Sequence, residues 1–409
     1  MRRILQSRIN PRYLRIFGIL AILLASLGSV GHAVQAETGF QFNNLDVIYT
    51  FGQQVSFRAQ YKPVDLAKKV FLFFQPAGED TRLIEIPLNP QGVVDYSYDL
   101  TTHYLRPFSR TEFWFQAELA DGEKVESPKQ AFDYIDNRQT WQSLDNGSIQ
   151  VNWLNGDKFF GQDALNSAAS GAKKASSIFP GQNLSGLRIY LYESAAAMQA
   201  ALNNGQPSWA VGQTSPDLGI IIVSIAPGVD QQLEMDRQIP HEIMHYLLYV
   251  LVKDGYQNIP LWLNEGLASI SETYANPDYQ RALTKAVADE GLLPLNSLCG
   301  SFPQDASNAF LAYAQSDSFV HFLQDKFSNN GLLNLVQAYQ NGYSCEEGIV
   351  AATGSSLSQL DYRWRQESLG VDTGSLAVQN MLPFLLIAGI LVLVPLSVAG
   401  IVVLNRGKS

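Results

Sequence analysis

The sequence predicts three successive parts: an all-β sandwich at the N-terminus, an α+β domain after it, and one transmembrane helix near the C-terminus. Apolar and polar residues alternate through residues 37–137, a mixed and then mainly helical pattern fills residues 138–369, and a run without charge covers residues 381–404. With 409 residues the chain is long enough for two or three domains. Its 46% apolar and 16% charged residues exclude intrinsic disorder as the state of the whole chain.

The first segment, residues 1–36, has the pattern of an export signal. It carries five arginines and no acidic residue, an apolar run over residues 16–30, and a small-residue site that ends at Ala36. A signal anchor that is never cleaved is the alternative. Removing the five positive charges of this segment takes the formal charge from −10 to −15, which excludes a nucleic-acid binder that depends on contacts to phosphates.

Residues 37–137 are predicted to form an immunoglobulin-like β-sandwich. Short alternating runs are typical of strands, and turn signals containing glycine or proline separate them at sandwich-like spacing. About seven short strands in roughly a hundred residues match that architecture. The clearest candidate strands are residues 55–59, 70–74, 83–86 and 113–119.

Residues 138–369 are predicted to form an α+β domain, because strands and helices alternate first and helices dominate afterwards. The predicted strands are residues 148–153, 187–192 and 219–225. The predicted helices are residues 162–177, 194–203, 233–253, 261–275, 278–290, 305–327, 330–341 and 356–367. Residues 370–380 contain Gly and Ser and are predicted to form a linker.

The uncharged run over residues 381–404 is predicted to be a transmembrane helix. A helix of that length reaches about 36 Å, enough for a hydrocarbon core of about 30 Å. Arg406 and Lys408 follow directly, so the positive-inside rule assigns residues 405–409 to a cytoplasmic tail. The expected localisation is therefore a single-pass membrane protein with its N-terminal domains outside the cytoplasm, in the periplasm or at the cell surface.

The chain has only two cysteines, Cys299 and Cys345, which excludes a disulfide-rich scaffold. They are too far apart in sequence for a metal knuckle. Either they form one bridge in an oxidising compartment or they remain two unlinked buried thiols, and the sequence leaves both alternatives open.

The segment His241-Glu-Ile-Met-His245 is an H-E-x-x-H motif inside a helical, apolar stretch. On a helix, residues i and i+4 share one face, so both imidazoles can reach a single zinc ion at about 2.0–2.1 Å. Glu242 can then take a proton from the water at the metal and return it to a leaving amine. The alternative is an amphipathic helix with two buried, satisfied histidines.

A catalytic zinc site needs a third protein ligand, and Glu265 is the candidate. It lies 20 residues after His245 on a helix that begins at Pro260, and a loop between the two helices lets them pack together. A carboxylate beside Leu261 and Leu267 is costly to bury without a partner such as zinc. The sequence therefore predicts one Zn²⁺ per chain, bound by His241, His245 and Glu265.

These two segments resemble the gluzincin branch of zinc metallopeptidases, and the broader arrangement resembles the bacterial peptidase MA-like domain family. The resemblance covers roughly residues 140–368. Its further matching segments are Trp209-Ala-Val-Gly, Ala312-Tyr-Ala-Gln-Ser-Asp-Ser-Phe-Val and Leu360-Asp-Tyr-Arg-Trp. It implies a zincin-like metallopeptidase fold, a zinc cofactor and a peptide or protein substrate.

The resemblance also implies roles for residues outside the motif. Tyr313 is the candidate for stabilising the oxyanion of the tetrahedral intermediate, with His321 as the alternative. The other interpretation is a core or surface role for Tyr313 and a packing role for His321. The strand at residues 219–225 is either the edge along which an extended peptide pairs or a plain buried strand. Ser269 stands where thermolysin-type enzymes carry Asp, so the resemblance does not identify the partner that orients a metal-bound histidine. Glu272 or Asn264 could serve. No G-x-M-x-N segment precedes the motif, so aminopeptidase specificity is not implied.

Together these observations predict a membrane-anchored zinc metallopeptidase that hydrolyses peptide bonds outside the cytoplasm. The alternative is a catalytically inactive binding protein of the cell surface built on the same fold. The sandwich is expected to act as a spacer or as a substrate-docking module. The sequence leaves open the natural substrate, endopeptidase or exopeptidase action, and the oligomeric state.

Overall fold

The structure is a computed structural model that describes residues 39–202 and 212–371, together with Ile387, Ile390 and Leu391. The expected export signal, residues 1–36, lies outside the described residues. So do nearly all of the expected linker and of the expected membrane segment and tail, residues 381–409.

The expected localisation is corrected by the structure. Within the described part of the chain, no helix is both long enough and apolar enough to cross a membrane. A span needs about 20 consecutive, mainly apolar residues. The two longest helices here, Gln231–Val252 and Ala306–Gln340, both carry several charged side chains. The prediction of a single-pass membrane protein with extracytoplasmic domains is therefore wrong on this finding.

The N-terminal unit contains eight strands, all paired antiparallel, and confirms the expected β-rich sandwich. They form two sheets, one of order β1-β2-β5 and one of order β4-β3-β6-β7 in which β8 also pairs with β6. The strands are β1 (Gln41–Thr50), β2 (Gln54–Lys62), β3 (Ala67–Pro76), β4 (Arg82–Ile86), β5 (Val93–Asp99), β6 (Arg110–Leu119), β7 (Lys124–Glu126) and β8 (Gln130–Asp133).

Alternate residues of these strands face the space between the two sheets. On β3, Val70, Leu72 and Phe74 are buried, as the period-two pattern requires. The Phe57 ring of β2 lies 5.3 Å from the rings of Phe74 and Phe113, so the aromatic side chains of the facing sheets are in direct contact. Each such pair adds about 0.5–1.5 kcal/mol to the stabilisation from burial.

The second unit is an α+β domain built on one five-stranded sheet of order β12-β13-β11-β10-β9. The three central strands are mutually parallel, and the two outer strands are antiparallel to their neighbours. The strands are β9 (Gln142–Asp145), β10 (Ile149–Trp153), β11 (Leu187–Tyr192), β12 (Gly212–Ser215) and β13 (Ile220–Ser224).

Helices make up the rest of this domain, as the sequence predicts. They are α1 (Lys158–Ile178), α2 (Ala195–Leu202), α3 (Gln231–Val252), α4 (Leu261–Ile270), α5 (Pro277–Ala288), α6 (Ala306–Gln340), α7 (Cys345–Thr353) and α8 (Leu357–Glu367). The break predicted between residues 327 and 330 falls inside α6 at Ser328, whose φ is 60°. Helix α7 was not predicted.

The sheet of the α+β domain has a hydrophobic core on each face. Ile221 and Val223 of β13 pack with the helices, whereas Ile220 and Ile222 belong to the same buried cluster as the sandwich residues. The Phe108 ring of the sandwich lies 4.5 Å from the Tyr190 ring of β11. The sandwich therefore covers one face of this sheet, which a simple spacer would not do.

Cys299 and Cys345 form a disulfide bond, which settles the alternative that the sequence leaves open. The bridge adjoins the start of α4. The Leu261 amide donates to the Cys299 carbonyl at 2.8 Å, and the Trp262 indole N–H donates to Cys345 Sγ at 3.4 Å. The first N–H groups of a helix have no partner within it, and Pro260 provides no side-chain cap. The disulfide segment thus supplies the missing acceptor.

Candidate active site

Helix α3 places the H-E-x-x-H motif between the core and an open cleft. Its apolar face, which includes Ile239, Ile243 and Leu247, is fully buried. The other face carries polar side chains spaced three or four residues apart, and this spacing aligns them along one side of the helix. They are Glu234, Arg237, Gln238, His241, Glu242 and His245.

The structure brings His241, His245 and Glu265 together. One ligand atom of each side chain lies within 4.8 Å of the others. Glu265 Oε2 is 3.3 Å from His241 Nε2 and 3.7 Å from His245 Nε2, and all three side chains are at most 14% exposed. Two imidazole nitrogens and one carboxylate oxygen are the donor set of a His₂Glu zinc site, so these residues fit a zinc ion.

Each imidazole is oriented by a hydrogen-bond partner at its Nδ1 atom. His241 Nδ1 lies 3.1 Å from Glu272 Oε1, and His245 Nδ1 lies 3.0 Å from Asn264 Oδ1. The Asn264 amide donates to Tyr256 Oη at 3.1 Å, which leaves Oδ1 as the acceptor for the histidine. The two residues expected as alternatives thus each hold one histidine, with Nε2 directed at Glu265.

The electrostatics of this cluster favour a cation. Burial works to lower the pKa of His241, but hydrogen bonds and charges from Glu265 and Glu272 raise it well above its usual value. Burial works to raise the pKa of Glu265, but His245 and His241 lower it. The two carboxylates at the imidazoles therefore attract positive charge, which a proton or a divalent metal ion can supply.

The carboxylate of Glu242 is held by β12. Thr214 Oγ1 lies 2.6 Å from Glu242 Oε2 and 3.1 Å from the main-chain oxygen of the same residue. Gly212 lets this strand approach, since a Cβ at that position would be 2.4 Å from Glu242 Oε1. Glu242 is only 8% exposed, so its one described hydrogen-bond donor fixes its orientation.

A cleft of about 400 Å³ opens beside this cluster. Tyr313 of α6 lines it together with His241 and Glu242, and burial and the nearby charges of Glu265 and Glu242 raise the pKa of its phenol. His321, the alternative candidate, is 52% exposed, contacts Asp317 and does not line the cleft.

The strand expected as the substrate edge lies inside the sheet. β13 pairs with β11 on one side and with β12 on the other, so its backbone has no free edge for a peptide. Of the two alternatives for residues 219–225, the structure therefore shows the buried strand and not the substrate edge. Within the described part of the chain, β12 is the outer strand, and it runs past Glu242.

Sequence reasoning missed Thr214, Gly212, Arg237 and Tyr279, although all of them contact Glu242 or line the cleft. For Arg237 a signal was present, because it precedes His241 by four residues on the same helix face. For Thr214 there was none, since β12 is a four-residue polar strand without an apolar alternation.

Residues 169–369 match the family model described as Peptidase MA superfamily. The chain therefore contains a gluzincin peptidase MA-like domain, which confirms the resemblance drawn from its motifs. This family match supports a peptidase. A search of curated proteins finds no match to the sequence.

Solved structures with similar folds are distant. An M1 zinc metallopeptidase from Deinococcus radiodurans is 12% identical, with 80% of this chain and 93% of that chain covered and a TM-score of 0.33. A mutant of that enzyme bound to a Tyr-Ser-Ala substrate is 11% identical, with coverage of 80% and 93% and a TM-score of 0.32. A myokine structure is 12% identical, with coverage of 23% and 96% and a TM-score of 0.20. At these TM-scores the similarities carry no argument about this chain.

Proposed function

We propose that this protein is a zinc-dependent peptidase that hydrolyses peptide bonds, with one Zn²⁺ bound by His241, His245 and Glu265. The observation that carries the proposal is the convergence of these three ligand atoms, together with the partners Glu272 and Asn264 that orient the two imidazoles. A surface cluster of side chains with no metal to bind does not need this second layer of hydrogen bonds.

When bound at this site, the zinc ion supplies a Lewis acid that brings the ionisation of water close to neutral pH. Glu242 is the general base of the proposal: it accepts a proton from the attacking water and later donates it to the leaving amine. Thr214 holds Glu242 in the orientation that this transfer requires. Glu272 and Asn264 keep the imidazoles turned toward the metal.

Tyr313 is proposed to donate a hydrogen bond to the oxygen that gains negative charge during the reaction. Its position in the cleft beside Glu242 supports this role. Its raised pKa keeps the phenolic proton in place at neutral pH, and a donor must retain its proton.

The substrate is proposed to lie along β12 as an extended peptide. This strand is at the outer side of the sheet in the described residues, and an extended chain can add to such an edge by main-chain hydrogen bonds. Thr214 is on this strand, so a peptide bound there would lie near Glu242.

Two sequence features favour the alternative function, a catalytically inactive binding protein on the same fold. They are Ser269 in place of the Asp after the third ligand and the lack of an identified partner for the ligand histidines. Glu272 and Asn264 now occupy that position. The general base is also present and oriented. Both observations support the active enzyme.

The test uses the full chain, loaded with zinc and incubated with a complex peptide library that is read by mass spectrometry. We expect one zinc per chain and cleavage by the wild type. Glu242→Gln should bind zinc equally and cleave about 100- to 10,000-fold more slowly, because general-base catalysis is worth about that factor. Glu85→Gln, an exposed carboxylate of the sandwich, is the matched control. Full cleavage by Glu242→Gln would refute the mechanism.

A further inference from the structure

The cleft extends beyond the zinc ligands toward the start of α3. Glu234, Arg237 and Gln238 line this part, and Arg237 lies one helical turn before His241, about 6 Å along the helix axis. None of these three side chains has a role in the proposed hydrolysis. A group bound there would belong to the substrate rather than to the reacting bond.

Arg237 is only weakly paired within the described residues, through one long ion-pair contact to Glu234. Its Nε is buried without a hydrogen-bond partner, and its nearest acidic atom, Glu234 Oε1, is 3.9 Å from Nη1. Gln238 Nε2 donates to the other Glu234 oxygen at 2.8 Å, while Gln238 Oε1 is itself buried and unpaired. A guanidinium has five donors, and a buried donor without an acceptor is costly. Arg237 lines the cleft and therefore has donor capacity left for an acceptor bound there.

The part of the cleft wall that α6 contributes is apolar and aromatic. Ala306, Ala309, Phe310 and Tyr313 lie at helical spacing on α6, and all of them line the cleft. The Phe310 ring is 5.3 Å from the Tyr279 ring, and Phe310 remains 37% exposed. The ligand that fits both parts of the wall has an apolar body and a hydrogen-bond acceptor at one end.

We propose that Arg237 binds a carboxylate of the peptide substrate, which makes this part of the cleft a specificity site for acidic ligands. The inference rests on the proposed peptidase function. A guanidinium binds a carboxylate through two parallel hydrogen bonds, which a neutral carbonyl cannot match. The carboxylate comes either from the C-terminus of the peptide or from an Asp or Glu side chain.

Two carboxylates, those of Glu234 and Glu272, line the same cleft, and their negative charges disfavour the binding of an anionic ligand. Glu234 is held by Gln238, and Glu272 is hydrogen-bonded to His241. Their charges restrict binding to ligands whose carboxylate reaches the guanidinium directly. The selectivity therefore depends on the position of the carboxylate in the peptide. An acidic group that does not reach Arg237 does not increase the binding affinity.

The experiment compares matched peptides with the zinc-loaded full chain, starting from one peptide that the wild type cleaves. One arm replaces its free C-terminal carboxylate with an amide, and the other exchanges Glu for Gln at each position around the scissile bond. We expect kcat/KM to fall about 10- to 100-fold in one arm, the range for a charged hydrogen bond. The arm that responds identifies the source of the carboxylate.

Variants then assign the effect to Arg237. Arg237→Gln should remove the difference between the acid and the amide, while Arg237→Lys should keep part of it. Arg281→Gln removes the same charge from an exposed position and should behave as wild type. Binding of the same peptides to Glu242→Gln, measured by calorimetry, should show the same preference without turnover.

Different results would contradict the proposed peptidase function and the carboxylate-binding role of Arg237. Equal kcat/KM for the acid and the amide in both arms, or a preference that persists in Arg237→Gln, would overturn the inference and leave the peptidase intact. A wild type that cleaves no peptide of the library would overturn both.

Discussion

The main-chain oxygen of Asp236 lies 2.9 Å from the amide nitrogen of Thr273, and this hydrogen bond fastens the segment after α4 to α3. The oxygen is available because Pro240, four residues further along α3, has no N–H to donate to it. Glu272, next to Thr273, is thereby held against His241. A proline beside the motif thus helps to place the partner of His241, a proposed zinc ligand.

We predict that Pro240→Ala weakens zinc binding by about 10-fold, the lower end of the range for losing an orienting partner. The new N–H at position 240 competes for the Asp236 carbonyl within the helix, so Thr273 is released and Glu272 moves from His241. Competition with a chromophoric chelator measures the affinity. Thermal unfolding of the zinc-free chain runs beside it as a control for folding. An unchanged affinity in a folded variant would contradict this account.

The second prediction concerns pH. A protonated imidazole cannot bind a metal, so zinc affinity should fall as the pH drops through the raised pKa of His241. Glu272→Gln removes one charge that raises this pKa. The half-loss pH, at which the zinc affinity of a variant is half of its own high-pH value, should therefore move lower. Well above that pH the variant should bind zinc about 10-fold more weakly.

A chelator titration that runs from below the usual histidine pKa of about 6.5 to well above it measures both effects of Glu272→Gln. Glu85→Gln serves as the control for a change in total charge. A half-loss pH that stayed where it is in the wild type would show that Glu272 does not act on His241.

The third prediction concerns Thr214. Thr214→Val keeps the shape of the side chain and removes the hydrogen bond to the Glu242 carboxylate, so kcat should fall about 10-fold while KM changes little. Thr214→Ser restores the hydroxyl and should recover most of the activity. Steady-state kinetics on a single cleaved peptide separates the two parameters. A loss that Thr214→Ser fails to restore would point to packing rather than hydrogen bonding.

The fourth prediction concerns the disulfide. Replacing both Cys299 and Cys345 with Ser opens a loop with a sequence separation of 46 residues, which should cost about 4 kcal/mol of unfolding free energy on the chain-entropy estimate. Because the bridge adjoins the start of α4, zinc affinity should fall as well. Urea denaturation and chelator competition measure the two effects. Wild type treated with a reducing agent should reproduce them, and unaltered stability would refute the prediction.

The sequence predicted the parts of the site that depend on local spacing. His241 and His245 share a helix face whatever the rest of the fold does, and Glu265 was placed by a loop and a helix start in its immediate neighbourhood. The break near Ser328 was likewise visible in the pattern.

Features that depend on distant parts of the chain were not predictable. Thr214 meets Glu242 only because β12 pairs with β13, and residues 220–224 are too uniformly apolar to reveal which neighbours lie on each side. Helix α7 carried a local signal, the capping box of Ser344 and Glu347, that was not used. The position of the sandwich against the sheet followed from no pattern. The nearly continuous apolar runs of β11 and β13 indicate that both faces of the sheet are covered, but not which part of the chain covers each face.

The sheet shared by the two cores limits how this protein can change over generations. Recombination near the codon for residue 137 would separate the α+β domain from the sandwich. Tyr190, Ile220 and Ile222, which pack against sandwich residues, would then be exposed to water. The two parts can therefore diversify only as a pair, with changes at Phe108 matched by changes across the junction at Tyr190. Substitutions on the two sides of the domain boundary therefore depend on each other, and the two domains are expected to be inherited together.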